Sequence, residues 1–123
     1  MFVRDAADVE ATAVDAAEGA EKAVLIGADE GAPNFALREF TLAAGGSIPK
    51  HTNAIEHVQY VLEGTYTVGA GKGEMASERQ VSPGDALLIP AGEVHWYRNE
   101  GDDPVRFLCS VPHGDDEIRV LDD

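Results

Sequence analysis

The sequence predicts an all-β fold, a sandwich or barrel, on three observations. From Lys22 onward it is a succession of short strand-like runs, each bounded by Gly, Pro, Asn or Asp turns. Side chains two apart in several of these runs share an apolar or a histidine-bearing face, the period of a strand. With 123 residues, 44% of them hydrophobic, the chain suffices for one core and is short for two, so one domain is expected.

In chain order, residues 5–21, DAADVEATAVDAAEGAE, are Ala-rich with Val9, Ala13 and Val14 at helix-like spacing, and Asp5 suits a cap. The apolar side is thin, so two readings stay open, a short amphipathic helix or an extended arm crossing a sheet. Either belongs to the same domain. The strand-like runs are then KAVLIG, FALREFTL, VQYVLEGTYTV, RQVS, ALLIPAG, VHWYRN and VRFLCSV. Between them lie GADEGAPN, AAGGS, GAGKGE, SPGD and EGDDP. GAGKGEM lacks the Ser/Thr and the strand-to-helix setting of a phosphate loop and is read as a hairpin tip. Residues 115–123 close the chain as an acidic tail, and His113 beside them is read as a surface residue.

Charge narrows the function. There are 23 acidic residues against nine basic ones, a formal charge of −14, and the lysines are Lys22, Lys50 and Lys72. Nucleic acid and anionic membranes attract Lys/Arg patches and would repel this surface. The acids are spread through a chain of ordinary apolar content, which argues against disorder. Such a surface suits molar salt, where the Debye length falls to ~3 Å and self-repulsion is screened, so a halophilic protein is expected; docking to a basic partner is the weaker reading. No apolar run approaches the ~18 residues of a membrane helix, and MFVRDAADVE has neither the basic start nor the apolar stretch of a signal peptide. A soluble cytoplasmic protein follows as the expectation. Cys109 is the single cysteine, which rules out an intramolecular disulfide and a Cys-based zinc site and fits a reducing compartment.

The chemistry gathers on two stretches. In HTNAIEHVQYVLEG, His51 and Asn53 share one strand face, and after a bend His57, Gln59 and Val61 share another, which would let His57 meet His51 across a strand pair. In GDALLIPAGEVHWYRN, His95 follows a Pro90/Gly92 turn, with Tyr97 and Asn99 on its face. Three neutral imidazoles from neighbouring strands suit a divalent first-row ion, Mn, Fe, Ni or Zn. Tyr97 is read either as a core residue or as part of the pocket wall, with the wall preferred. Cys109, on the parity of Val105 and Phe107, is either a small buried hydrophobe or a group beside the site. Val58, Tyr60, Leu62 and Trp96 face outward and are expected to cover a second sheet or to be buried in a homodimer.

These two stretches resemble the paired motifs of the cupin superfamily. The first motif, Gly, five residues, His-x-His, three or four residues, Glu, six residues, Gly, is matched by Gly45, His51, His57 and Gly64. In it Asn53 replaces the second His and His57 replaces the Glu. The second motif, Gly, five residues, Pro-x-Gly, two residues, His, three residues, Asn, is matched in full by Gly84, Pro90, Gly92, His95 and Asn99. From Val24 to Pro112 the chain is similar to small single-domain manganese cupins with four histidine ligands. That resemblance implies a double-stranded β-helix, or jelly-roll barrel, over residues 22–114, with the metal inside, a dimer, and in some members oxygen-dependent activity. His51, His57 and His95 carry over as ligands. Asn53 is a neutral, harder and weaker donor than imidazole for the later ions, and Gln59 offers a second amide oxygen. Open positions would then remain, as in catalytic rather than structural metal sites. The expected function is a metal-dependent oxygenase acting on a small organic substrate, with Tyr97 and Cys109 as further active-site candidates. The alternatives are a non-enzymatic module that binds or senses a small ligand, and a storage or structural barrel with a decayed site.

Overall fold

A computed structural model describes residues 1–121 and shows one antiparallel, curled ten-stranded sheet that forms a half-barrel. The strands are β1 (Thr12–Ala13), β2 (Glu18–Ile26), β3 (Phe35–Asn53), β4 (His57–Glu63), β5 (Tyr66–Ala70), β6 (Ser77–Val81), β7 (Ala86–Ile89), β8 (His95–Arg98), β9 (Val105–Pro112) and β10 (Ile118–Val120). The main path runs β6-β5-β8-β3-β9-β4-β7, with β2 and β10 also on β3 and β1 on β2.

Period-two alternation decides what lies inside. Along β9, Val105, Phe107, Cys109 and Val111 are buried while their neighbours are half-exposed. Along β4, His57, Gln59 and Val61 point in and Val58 and Tyr60 point out, as the parity of the sequence requires. The inward set builds one core in which Phe107 stacks on Phe40, Tyr66 and Tyr97 at ring-centre separations of 5.2, 5.4 and 5.4 Å. The return from β4 into β5 passes through Gly64 at φ +80°, where a Cβ would run into Val105, so the turn needs glycine twice over.

Three expectations change, and one of two open readings is selected. Residues 5–21 form no α-helix. Asp5 does cap, accepting from the Ala7 N–H at 2.9 Å, but what it caps is a single 3-10 turn, Ala6–Asp8. The rest is an extended arm, whose β1 pairs Thr12 with Lys22 and Ala13 with Glu21. A thin apolar stripe cannot hold a helix against a sheet edge that offers backbone partners. AAGGS does not break a strand either. It lies within β3, whose first half pairs with β2 and β9 and whose second half, from Ser47, pairs with β8, so the bend carries one strand from one side of the barrel to the other. The segment after residue 114 is not a free tail, since β10 pairs Ile118, Arg119 and Val120 with Asn53, Thr52 and His51. Asp122 and Asp123 lie outside the described residues. Trp96, finally, is buried within the chain. Its ring covers Gly69, its Nε1 donates to Glu78 at 2.7 Å, and Lys50 lies 4.9 Å above the ring.

Candidate functional site

His51 and Asn53 lie at the end of β3, His57 and Gln59 open β4, and His95 and Tyr97 open β8; all six are buried. They reach one cavity from both sides of the barrel. His51 stands directly opposite His95 in the β3–β8 ladder, with ring centres 4.1 Å apart, while the His57 ring lies 6.4 Å from that of His95. His57 therefore does not face His51 across a strand pair, because β4 is bonded to β7 and β9 and approaches from the opposite wall.

Hydrogen bonding fixes how each imidazole presents itself. His51 Nδ1 lies 2.7 Å from the Pro49 carbonyl and His95 Nδ1 lies 2.9 Å from that of Glu93. A carbonyl only accepts, so each Nδ1 carries the proton and each Nε2 keeps a lone pair. His57 is held the other way round. Its Nε2 lies 3.2 Å from Asp116 Oδ2, while its Nδ1 faces Arg38 Nη2 at 3.4 Å and Cys109 Sγ at 3.5 Å. Arg38 only donates, so the neutral ring has its proton on Nε2, toward the carboxylate. Burial lowers the pKa of all three rings, with Arg38 adding to the effect at His57, and His95 is pushed down to about 4 by burial and then by His51. All three are neutral at pH 7.

The amides are fixed by the same logic. Asn53 Nδ2 donates to Asp116 Oδ2 at 3.1 Å, which turns Asn53 Oδ1 away from the carboxylate. Gln59 Nε2 donates to the Tyr97 hydroxyl at 2.8 Å. Asn53 Oδ1 and Gln59 Oε1 are left buried with no hydrogen-bond partner among the described residues. An orphaned buried carbonyl costs about 1–3 kcal/mol, and here two of them sit in one site. No three His, Cys, Asp or Glu side chains among the described residues are drawn together closely enough to hold an ion; the donors line the cavity without meeting at a point.

Above this floor the walls are mostly apolar, including Val14, Phe40, Ile48, Phe107, Ile118 and Val120, with Lys22 and Arg38 as cationic members. Burial, followed by Arg38, lowers the Lys22 pKa. The space, counting the solvent at its mouth, is ≈ 600 Å³, of which ≈ 90 Å³ is the cavity itself. Tyr97 belongs both to the core cluster and to the cavity lining, and burial raises its pKa. Cys109 lies behind the wall, fully buried, with Arg38 Nη2 at 3.1 Å from its Sγ. Asn99 takes no part in the site. It is a clip, donating to the carbonyls of Leu42, Ala43 and Asp103 and accepting from Gly101 N–H.

A cupin domain model matches residues 38–111, which hold both motifs, and this stretch exceeds half of the chain. The chain belongs to the cupin family. Among solved structures this cupin is similar to the polyketide cyclase RemF from Streptomyces resistomycificus, with 32% identity, a TM-score of 0.87, and coverage of 98% of this chain and 85% of that one. A cupin-2 domain protein from Rhodospirillum rubrum, 22% identical with a TM-score of 0.80 over 99% of this chain and 80% of that one, shows the same fold. Among sequence relatives, an uncharacterized protein of Aquifex aeolicus is 35% identical over 74 residues, 56% of this chain and 61% of its own length. Germin-like protein 1 of Brassica napus is 29% identical over 83 residues, 66% of this chain and 40% of its own length. The cupin thus spans between two fifths and three fifths of these two relatives.

Sequence reasoning missed Asp116 and Arg38. Neither lies in a motif, and each reaches the site only through the tertiary fold.

Proposed function

We propose that this cupin is a divalent-metal enzyme acting on a small, largely apolar carbonyl compound, in a cyclisation of the kind named for the similar polyketide cyclase. The observation that carries the reading is the cavity floor, where two imidazoles with free Nε2 lone pairs stand with two buried amide oxygens that lack partners. Nitrogen and neutral oxygen donors in a largely apolar cavity fit a first-row divalent ion. His51 and His95 through Nε2, and Asn53 and Gln59 through their carbonyl oxygens, would hold it, with His57 the remaining histidine of the set.

When bound, such an ion polarises a carbonyl oxygen as a Lewis acid. The chain's own residues supply the rest. The apolar wall of Phe40, Ile48 and Phe107 excludes water and packs against a hydrocarbon or aromatic skeleton. Lys22 and Arg38 place positive charge where an enolate would develop. His57 holds a proton on Nε2, with Asp116 fixing its ring and tautomer. A second reading, an oxygenase, is favoured by Asn53, whose weaker donor leaves room for a further small ligand.

Elemental analysis of the purified chain, followed by assays with poly-β-carbonyl substrates under air and under nitrogen, tests both. His51→Ala and His95→Ala are expected to lose the metal while keeping the thermal transition of the fold. Product formed equally without oxygen supports cyclisation, and product formed only with oxygen uptake supports the oxygenase. Full metal occupancy in both variants would reject the site.

A further inference from the structure

Asp116 lies just before β10, and its side chain is 20% exposed, in a chain whose acids are mostly on the surface. Its hydrogen bonds all go to the site or to the segment between the site's strands. Oδ2 accepts from Asn53 Nδ2 at 3.1 Å and from His57 Nε2 at 3.2 Å, and Oδ1 accepts from the Ile55 N–H at 3.3 Å. The segment is fastened on both sides of the ladder. Ala54 N–H donates to the Glu117 carbonyl at 3.1 Å, and Leu121 N–H donates to that of Lys50 at 2.8 Å. β10 also brings Ile118 and Val120 into the cavity wall.

The charges make this placement consequential. Three neutral imidazoles and two amides carry no charge, and Lys22 and Arg38 line the same cavity; Asp15, the acid in its lining, is exposed on the turn between β1 and β2, where it acts on Lys22. A divalent cation placed there without an anion would be a buried, uncompensated charge beside two like charges, which is strongly unfavourable. Asp116 is the acid in hydrogen-bond contact with two of the candidate donors.

We propose that Asp116 is the anionic member of the site, a carboxylate delivered by the C-terminal strand that holds Asn53 and His57 and balances the charge of a bound divalent cation. This rests on the metal reading above. It assigns the acid of the site to a residue 63 positions beyond Asn53 and 59 beyond His57, and it makes β10 a part of the binding machinery. Asp116 positions Asn53 through Nδ2, and the same contact aims the orphaned Oδ1.

The test is calorimetric titration of the metal-stripped full chain with Mn²⁺ and Zn²⁺ alone, for the wild type, Asp116→Asn, Asp116→Glu and the neighbouring exposed control Asp115→Asn. Melting curves of the metal-free forms run in parallel. Asp116→Asn keeps the size of the side chain and removes its charge, so affinity is expected to fall at least ~10-fold at an unchanged melting temperature. Asp116→Glu is expected to recover part of that loss, and Asp115→Asn to bind as wild type does. If Asp116 serves only to fasten the strand, the melting temperature will drop while the affinity of the folded fraction stays within threefold, and the proposal is overturned. An equal loss in Asp115→Asn also overturns it, since the effect would then be general surface charge. A wild-type chain that takes up neither ion rejects the metal reading and this proposal together, whereas a wild type that binds beside an Asp116→Asn that binds equally well rejects this proposal alone.

Discussion

Asn53 shows how one side chain separates a complete histidine set from the site observed. Its side chain is buried, its amide nitrogen is committed to Asp116, and its oxygen is buried without a hydrogen-bond partner among the described residues. An imidazole meets the first demand with Nδ1–H, which can donate to Asp116, and then offers the Nε2 lone pair about one bond beyond the position of the amide oxygen. Asn53→His is therefore expected to tighten divalent-metal binding at least ~10-fold, because nitrogen replaces a neutral oxygen donor for the later first-row ions. Activity is expected to fall in the same variant, as a stronger ligand fills a position that substrate would use. Metal titration of wild type and variant at matched salt decides the matter, and equal affinities would remove position 53 from the ligand set.

At the scale of elements, β5 and β8 show how tightly the wall behind the site is fitted. The Trp96 indole covers Gly69, and a Cβ there would overlap the ring. The ring has little room to yield, being tied to Glu78 by its Nε1 and covered by Lys50. Gly69→Ala is expected to cost about 1–3 kcal/mol, the usual penalty for overpacking, read as a lower denaturation midpoint at an unchanged slope. An unaltered midpoint would mean that the ring swings out freely. The elements also differ in how far the sequence foretold them. β4, β8 and β9 were legible because their apolar and histidine positions alternate over several residues, and the hairpin tip at residues 71–76 because Gly71 and Gly73 open it. β3 was legible only in halves, since Gly45 and Gly46 look like a turn yet allow a bend inside a continuous strand. β10 was not legible, because Ile118 and Val120 alone, flanked by acids, give too short an alternation to register. The histidines could be found because two local motifs carry them. Asp116 lies 59 residues from His57 and Arg38 lies 19 from it, and no local pattern encodes contacts that the fold alone creates.

For the molecule as a whole, the balance between charge and exposed apolar surface governs association. Val58 and Leu88 are direct partners in the β4–β7 ladder, with Tyr60 next along the same outer face, and these three side chains are 51%, 61% and 48% exposed. Trp96 has left the set expected to face outward, and Leu62 is half-buried, so the patch is smaller than the sequence alone suggests. It is nevertheless contiguous, on a sheet face that no other part of the described chain covers, and such a face is commonly buried between two copies. Against this stands a formal charge of −14 on each copy, whose mutual repulsion is long-ranged in dilute buffer and is confined to ~3 Å in molar salt. The homodimer is therefore expected to be salt-dependent, with mostly monomer at low ionic strength and mostly dimer near ~2 M KCl. The melting temperature should rise over the same range as repulsion within each copy is screened. Leu88→Glu places a charge in the middle of the patch and should hold the chain monomeric at every salt concentration, while the rise in melting temperature that comes from screening alone persists. Light scattering and thermal melting across the KCl series separate the two effects. A wild type that stays monomeric at ~2 M KCl would show that this face is not a dimer interface, and a flat melting temperature would show that the acidic surface is not adapted to salt.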